Sequence, residues 1–236
     1  MMNKLGIIGA MDVEVETLKS ALSDCKTTKV SDMEFYEGKL SGKEVMVVKC
    51  GIGKVNVGRC VQILTDKFDV TAVVNTGIGG GIGDGLKVAD IVIGNELVQH
   101  DFDVSGFGYA KGYMFSGDTD KPTVYKCDAE LLEKLKSASK ECIDEKRIKV
   151  GRIATGDVFV SDFDKKKEIK EIFDAMVCEM EGGAIAQTAV ANGLKYVVVR
   201  AISDLADGSA SESYEEFEKE TAHLCADIIK SFVNKL

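Results

Sequence analysis

The 236-residue sequence has few of the residues from which metal sites are usually built. It contains two histidines, and its seven cysteines form no C-x-x-C pair. We therefore expect no metal site, and the scattered thiols are typical of a reduced cytosolic protein. The sequence also lacks the H-E-x-x-H, G-x-S-x-G, G-x-G-x-x-G and G-x-x-x-x-G-K-[ST] motifs. Metalloprotease, serine-hydrolase, dinucleotide and Mg-nucleotide chemistry are disfavoured.

Basic residues and long apolar runs are also scarce. Lys and Arg number 30 against 39 Asp and Glu, which gives a net charge of −9. Nucleic-acid backbones and anionic membranes attract basic surfaces, so both are disfavoured as partners, whereas an uncharged nucleoside is not excluded. No apolar run reaches the roughly 18 residues that a membrane span needs, and the first run, residues 5–11, is far too short. We expect a cytoplasmic protein that binds a small molecule.

Short β-branched runs alternate with amphipathic stretches along the whole chain. They predict eight strands, the first of which covers residues 4–8, and six helices, the last of which covers residues 214–235. The sole proline, Pro122, lies in the least regular stretch, residues 101–126. No linker or repeat interrupts the pattern. We expect one α/β domain over residues 1–236, a three-layer sandwich in which helices flank a mixed, largely parallel sheet.

Ligands bind at the carboxyl ends of strands in such sheets, and polar residues stand where the apolar runs end. Asp12 and Glu14 follow the first strand. Acids there commonly complement the N-terminus of the next helix, so a role for Glu14 as a general base is the weaker interpretation of this segment alone. Six glycines among residues 77–85 follow the fourth strand and allow the backbone to approach a ribose or a base closely.

Two later strand ends carry charged side chains in apolar surroundings. In a strand, Glu179 and Glu181 would share one face, and two carboxylates in an apolar junction favour a functional role. Arg200 is predicted at the end of a strand, where its guanidinium needs a carboxylate or a ligand oxygen as partner. The dipeptide Ser203-Asp204 follows it, and Asp204 is the best candidate acid.

Seven short segments follow one another in a fixed order. They are GIIGAMDVE (6–14), GIGKV (51–55), NTG (75–77), HDFDVSGFGY (100–109), TGDVFV (155–160), EME (179–181) and RAISD (200–204). Together they resemble the 5′-methylthioadenosine/S-adenosylhomocysteine nucleosidase family of the purine nucleoside phosphorylase superfamily, over nearly the whole chain. The resemblance implies a nucleoside phosphorylase-like fold and an enzyme of methionine salvage and methyl-cycle recycling, with no metal or organic cofactor. Such an enzyme hydrolyses methylthioadenosine, S-adenosylhomocysteine and also 5′-deoxyadenosine to adenine and the 5-substituted ribose.

The same resemblance implies roles for individual residues. Asp204 protonates N7 of the adenine, Ser203 orients Asp204, and Glu14 activates the attacking water. Arg200 helps to hold the site, and Glu181 binds the ribose hydroxyls. The expected substrate contacts are Met11, Ile52, Ile78, Gly79, Gly80, Phe159, Val160, Glu179, Met180 and Tyr214. Ile78 stands where many members of the family carry serine.

The loop at residues 104–109 is expected to act across a subunit boundary. Aromatic side chains in an irregular segment usually pack on the core of their own chain. In the family that the sequence resembles, however, the matching loop closes the 5′ pocket of a twofold partner. We therefore expect a homodimer in which Val104, Phe107 and Tyr109 complete the partner's pocket.

Three alternatives remain open from the sequence. The first is a nucleoside phosphorylase, which would need more cationic partners for phosphate than Arg200. The second is a nucleosidase for another 5′-modified adenosine, such as 6-amino-6-deoxyfutalosine. The third is a nucleoside-binding protein without chemistry, which Glu14, Glu181 and Asp204 together disfavour because binding alone does not require all three.

Overall fold

The computed structural model describes residues 4–206 and 210–236, and within these ranges it has the six predicted α-helices and ten strands, two more than the sequence predicts. The strands are β1 (Leu5–Gly9), β2 (Ser23–Val30), β3 (Met33–Leu40), β4 (Lys43–Lys49), β5 (Ala72–Gly81), β6 (Ile91–Gln99), β7 (Tyr125–Lys126), β8 (Ile148–Thr155), β9 (Val177–Glu179) and β10 (Lys195–Asp204). The helices are α1 (Asp12–Ser20), α2 (Lys54–Phe68), α3 (Ala129–Cys142), α4 (Phe163–Phe173), α5 (Gly182–Ala191) and α6 (Ala210–Asn234).

The strands form one mixed sheet. Its order is β10-β6-β8-β9-β5-β1-β4-β3-β2, and β10 also pairs with β5, so that five of the strands close into a ring. Parallel pairing joins β1 to β4 and β5, β5 to β10, and β8 to β6 and β9. Because β1, β5 and β10 run in parallel side by side, their carboxyl ends meet at one edge.

Helices cover both faces of the sheet, which confirms the expected α/β sandwich. One core cluster joins the sheet to α2 and α5, through residues such as Leu64 and Ile185. A second cluster joins the opposite face to α1, α3 and α6, through residues such as Leu18, Leu135 and Phe232. The fully apolar strands are therefore buried from both sides, as parallel strands generally are. No helix in the described ranges has the length and apolar character needed to cross a bilayer.

The structure extends two strands beyond their predicted ends. β5 continues through the glycine run to Gly81, and β10 continues to Asp204. Arg200 consequently lies inside β10, whereas the sequence had placed it at the end of the strand. Both extensions are paired with each other, with Arg200 opposite Gly77. Pairing with a neighbouring strand supplies the backbone hydrogen bonds that the local glycine-rich sequence does not predict.

Candidate active site

A cavity of about 460 Å³ opens where β1, β5, β9 and β10 end. Cavities of roughly 300–1,000 Å³ hold small-molecule ligands. The structure brings the following predicted residues together in its lining: Met11, Glu14, Ile52, Ile78, Gly79, Gly80, Phe159, Val160, Glu179, Met180, Glu181, Ser203, Asp204 and Tyr214. Since these residues come from segments up to 203 positions apart, the sheet edge assembles the candidate site that the sequence indicated.

The carboxylate of Glu14 is held by backbone amides at the first turn of α1. Its Oε2 accepts hydrogen bonds from Ala10 N at 2.6 Å and Met11 N at 3.1 Å, and its Oε1 accepts one from Ile78 N at 3.3 Å. The side chain is 4% exposed. Glu14 therefore does more than complement the start of a helix, because its carboxylate bridges two strand ends in the wall of the cavity.

Glycine and charge set the environment of Glu14. A Cβ atom on Gly77 would lie 2.6 Å from Glu14 Oε1, so only glycine leaves room for the carboxylate there. Burial raises the pKa of Glu14 above its usual range, while the positive charge of Arg200 and the backbone amides oppose that shift. These opposing effects decide how readily the carboxyl group of Glu14 ionises.

Arg200 lies behind the cavity and not in its lining. Its Nη2 donates to Asn75 Oδ1 and to Glu179 Oε2, and its Nη1 donates to Val199 O at 2.9 Å. Asn75 in turn donates from Nδ2 to Ile8 O at 2.9 Å. This buried network connects β1, β5, β9 and β10 directly beneath the site.

Glu179 uses both carboxylate oxygens within the protein. Besides the ion pair with Arg200, it accepts hydrogen bonds from Thr155 Oγ1, from Glu181 N at 3.1 Å and from Gly182 N at 2.8 Å. The prediction that Glu179 and Glu181 share one strand face is wrong, because β9 ends at Glu179. Glu181 instead precedes α5, and apart from Arg200 the two carboxylates take different partners.

Glu181 presents a carboxylate of raised pKa to the cavity. Its Oε1 accepts a hydrogen bond from Gly53 N at 2.8 Å, and its Oε2 lies 3.9 Å from Arg200 Nη2. Burial, and next the negative charge of Glu179, raise the pKa of Glu181 to about 8. Glu181 is therefore the carboxylate of this cluster that is positioned to exchange hydrogen bonds with a ligand.

Ser203 and Asp204 both face the cavity because β10 is bulged. Regular alternation would point them in opposite directions, but the register of β10 against β5 shifts between Ile202 and Asp204. Ser203 Oγ donates to Asp204 Oδ2 at 2.8 Å, and Ala206 N donates to Oδ1 at 2.8 Å. Asp204 is 2% exposed, so its carboxyl group is held firmly at the inner end of the cavity.

Aromatic side chains form the wall opposite these carboxylates. The rings of Phe159 and Tyr214 meet edge to face, with centroids 5.9 Å apart. Tyr214 Oη donates to Met11 Sδ at 3.1 Å, and burial raises the pKa of Tyr214 to about 12, which keeps the hydroxyl protonated near neutral pH. Ile52 and Phe159 are each about half exposed at the mouth. An apolar, aromatic wall of this kind suits a planar heterocycle.

Comparisons with known proteins agree with this geometry. The sequence profile of the phosphorylase superfamily matches residues 4–234. A 5′-methylthioadenosine/S-adenosylhomocysteine nucleosidase of Staphylococcus haemolyticus is 39% identical, with 98% of this chain and 100% of the relative covered. The chain belongs to this nucleosidase family. The resemblance inferred from the seven sequence segments is thus confirmed.

Solved structures of the nucleosidase family match the whole fold. The Neisseria meningitidis enzyme in complex with methylthio-immucillin-A has a TM-score of 0.93 and 36% identity, and the match covers 100% of both chains. An Asp-to-Asn variant of the Helicobacter pylori enzyme, with 5′-methylthioadenosine in its active site, has a TM-score of 0.92 and 31% identity over 100% of both chains. The nucleoside phosphorylase-like fold expected from the sequence is confirmed.

Four predicted residues of this nucleosidase-family chain lie outside the cavity lining. They are Arg200, which lies behind the cavity, and Val104, Phe107 and Tyr109 in the long loop. Phe107 ends a short 3₁₀ turn and is 82% exposed, whereas the ring of Tyr109 packs at 5.0 Å from that of Tyr113. A single chain does not bring this loop to its own cavity.

Three lining residues were not predicted. Ala10, Val158 and Cys178 each stand beside a residue that was predicted, and Ala10 and Val158 lie within segments already singled out. Their apolar or weakly polar side chains give no chemical signal in the sequence, so only the fold identifies them. As to metals, no cluster of three His, Cys, Asp or Glu side chains in residues 4–206 and 210–236 could hold an ion.

Proposed function

We propose that this protein hydrolyses the N-glycosidic bond of 5′-methylthioadenosine and S-adenosylhomocysteine, releasing adenine and the 5-thio-substituted ribose. The observation that carries the proposal is the grouping of three buried carboxyl groups, Glu14, Glu181 and Asp204, around one cavity with an aromatic wall. Departure of the purine leaves an oxocarbenium-like sugar, and carboxylates stabilise that positive charge. The names of the relatives in this family support the same substrates.

Proton transfer at the purine is assigned to Asp204. The C1′–N9 bond breaks with its electrons going to the purine, and Asp204 delivers a proton to N7 so that neutral adenine leaves. Ser203 orients the acid through its hydrogen bond to Oδ2. Such a carboxyl group must carry a proton before the purine leaves.

Glu14 and Glu181 act on the sugar side. Glu14 takes a proton from the water that attacks C1′, and its hydrogen bonds to backbone amides hold the carboxylate in the cavity wall for that role. Glu181 accepts hydrogen bonds from the ribose hydroxyls, with Met180 against the sugar and Phe159 against the purine. Arg200 is a positioning residue in this scheme, since it reaches the reaction only through Glu179 and its neighbours.

Water and not phosphate is the expected nucleophile. The described residues that line the cavity include no Lys, Arg or His, and Arg200 is engaged behind it. A phosphate ion needs cationic partners or a dense set of hydrogen-bond donors. The cavity therefore disfavours a phosphorylase, the first of the three alternatives that the sequence had left open.

Incubation of the enzyme with 5′-methylthioadenosine, with and without inorganic phosphate, tests this function. We expect equal rates of adenine release in both conditions and free methylthioribose as the sugar product, which mass spectrometry identifies. Methylthioribose-1-phosphate, or turnover only when phosphate is present, would contradict the proposal.

We also propose that residues 1–236 form one nucleosidase domain that works in the cytoplasm as a homodimer. Phe107 and Phe115 are 82% and 66% exposed in the long loop, and Ile52, Val158 and Phe159 are about half exposed around the cavity mouth. Exposed apolar groups of this size are typical of protein interfaces. In the dimer, Val104, Phe107 and Tyr109 of one subunit would contact the 5′ substituent bound by the other.

Phe107→Asp is expected to weaken both the dimer and catalysis. Burying an aspartate in an apolar contact is unfavourable, so light scattering should report a monomer at concentrations where the wild type is a dimer. The KM for methylthioadenosine should rise by about tenfold, because part of an apolar pocket is lost. Phe163→Asp, at an exposed phenylalanine of α4, is the control. A Phe107→Asp variant that stays dimeric with unchanged KM would refute the assignment of this loop.

A further inference from the structure

Three residues outside the cavity lining form a closed ring of hydrogen bonds beside it. Lys54 Nζ contacts Asp101 Oδ1 at 2.6 Å, Asp157 N donates to Asp101 Oδ2 at 2.9 Å, and Lys54 N donates to Asp157 Oδ1 at 2.8 Å. Gln99 supports it by accepting from Lys54 Nζ at 3.3 Å. The side chains of Lys54 and Asp101 are 20% and 21% exposed, so solvent screens this ion pair less than a surface pair.

The ring fixes the charged form of its central carboxylate. Burial alone would raise the pKa of Asp101, but the hydrogen bonds from Lys54 and from the Asp157 amide bring it below its usual value. An ionised Asp101 can then accept one bond on each oxygen at the same time. Its two bonds hold together Lys54 and Asp157, which are 103 residues apart in the sequence.

The ring is connected to the cavity lining on two sides. Gly53 and Lys54 offer consecutive amides at the start of α2; the first binds Glu181 Oε1 at 2.8 Å and the second binds Asp157. Gly53 has a φ of +99°, and a Cβ there would lie 3.0 Å from Asp157 Oδ1. On the other side, Asp157 is followed at once by residues 158–160, which line the cavity and include Phe159 of the aromatic wall.

We propose that Lys54 is a positioning residue for nucleoside binding. Through Asp101 and Asp157, it sets the separation between Glu181 and the wall at residues 158–160. A nucleoside contacts both parts, so its affinity depends on their separation. Free adenine contacts only the wall and the acid at Asp204, and its affinity does not depend on that separation. The inference rests on the proposed function for the assignment of ribose to Glu181 and of purine to the wall.

The test compares two ligands in the full-length enzyme. Calorimetric titrations use methylthio-immucillin-A, the nucleoside analogue bound by the Neisseria meningitidis relative, and adenine. In Lys54→Met, the affinity for the analogue should fall by about tenfold, and the KM for methylthioadenosine should rise by about as much. Losses of this size are expected because a shift of a positioning group by 1 Å can cost an enzyme about 100-fold. The affinity for adenine should change by less than about threefold, which is the size of effect expected from a substitution that does not alter the contacts of the ligand.

Two further variants separate positioning from support of the fold. Lys54→Arg keeps a cation that reaches Asp101 and should restore most of the affinity for the analogue. Lys4→Met is the matched control, because the Lys4 side chain is also 20% exposed and ion-paired, with Glu37, but lies at the opposite edge of the sheet. It should leave both affinities unchanged. Should Lys54→Met fail to fold, Asp101→Asn carries the same expectation.

The outcomes distinguish this inference from the proposed function. Equal losses for the analogue and for adenine, no loss for either, or the same loss in Lys4→Met would overturn the role of Lys54. A wild-type enzyme that releases no adenine from methylthioadenosine would instead overturn the proposed function. In that case the two titrations still measure whether Lys54 affects the binding of a nucleoside selectively.

Discussion

The Asp204→Asn variant is expected to keep its fold and to bind 5′-methylthioadenosine while losing nearly all hydrolysis. General acid catalysis contributes about 10²–10⁴-fold, so kcat should fall by about that factor. Asparagine has the same size, and its carbonyl oxygen can still accept the hydrogen bond that Ala206 N donates at 2.8 Å. Its amide group can donate a hydrogen bond to N7 of the purine but cannot transfer a proton to it. The adenine must then leave as an anion.

Single-turnover assays and binding measurements check this result. Adenine release is followed after excess Asp204→Asn enzyme is mixed with methylthioadenosine. A separate titration of the variant with methylthioadenosine gives the Kd. Asp90→Asn serves as the control, because Asp90 is also buried, at 4% exposure, but lies beside β6 and outside the cavity. A variant at position 204 that retains most of the wild-type kcat would show that another group supplies the proton.

The sequence locates the candidate site because the ionisable residues of the site follow the ends of apolar runs. Glu14 and Asp204 follow the strands that became β1 and β10, and a parallel sheet brings such ends together. What the sequence could not show is the direction of each side chain. Strict alternation puts Ser203 and Asp204 on opposite faces, and only the bulge in β10 turns both toward the cavity.

Other elements carry no local signal at all. β2 has the sequence SDCKTTKV and is largely exposed, so no apolar alternation marks it; it exists because the edge of β3 supplies its backbone partners. β7 has only two residues, which are too few for a periodic pattern. The ring around Lys54 joins residues 47 and 103 positions away, and such contacts follow from the closed sheet and not from spacing.

Arg200→Met is expected to be the most destabilising substitution near the site. Arg200 is 1% exposed, and its removal leaves the buried carboxylate of Glu179 without its cationic partner. Breaking a buried ion pair by removing one side typically costs about 3–5 kcal/mol of unfolding free energy. For a chain of this length, a loss of that size lowers Tm by on the order of 10 °C. Asn75 also loses the donor to its Oδ1, which removes a side-chain link between β5 and β10 beneath the site.

Arg152→Met provides the comparison for that loss. Arg152 pairs with Glu96 at 2.7 Å, but the two side chains are 24% and 25% exposed. Solvent reaches this pair and compensates the remaining carboxylate, so the expected cost is about 1 kcal/mol. Differential scanning calorimetry of both variants and the wild type measures the contrast. Equal destabilisation by the two substitutions would mean that Arg200 contributes packing and not charge compensation.

The destabilisation by Arg200→Met should also depend on pH in a defined direction. In the wild type, the pKa of Glu181 is about 8 although the charge of Arg200 lowers it, so loss of that charge raises the folded-state pKa further. A group whose pKa is raised by folding stabilises the fold below its unfolded pKa of about 4.3 and loses that contribution as the pH rises through its folded value. The burial-raised pKa of Glu14 is opposed by the same arginine and shifts in the same sense. The difference in Tm between wild type and variant should therefore be smaller at pH 7 than at pH 9. A difference that is constant, or larger at pH 7, would show that the buried carboxyl groups do not depend on Arg200 for their charge.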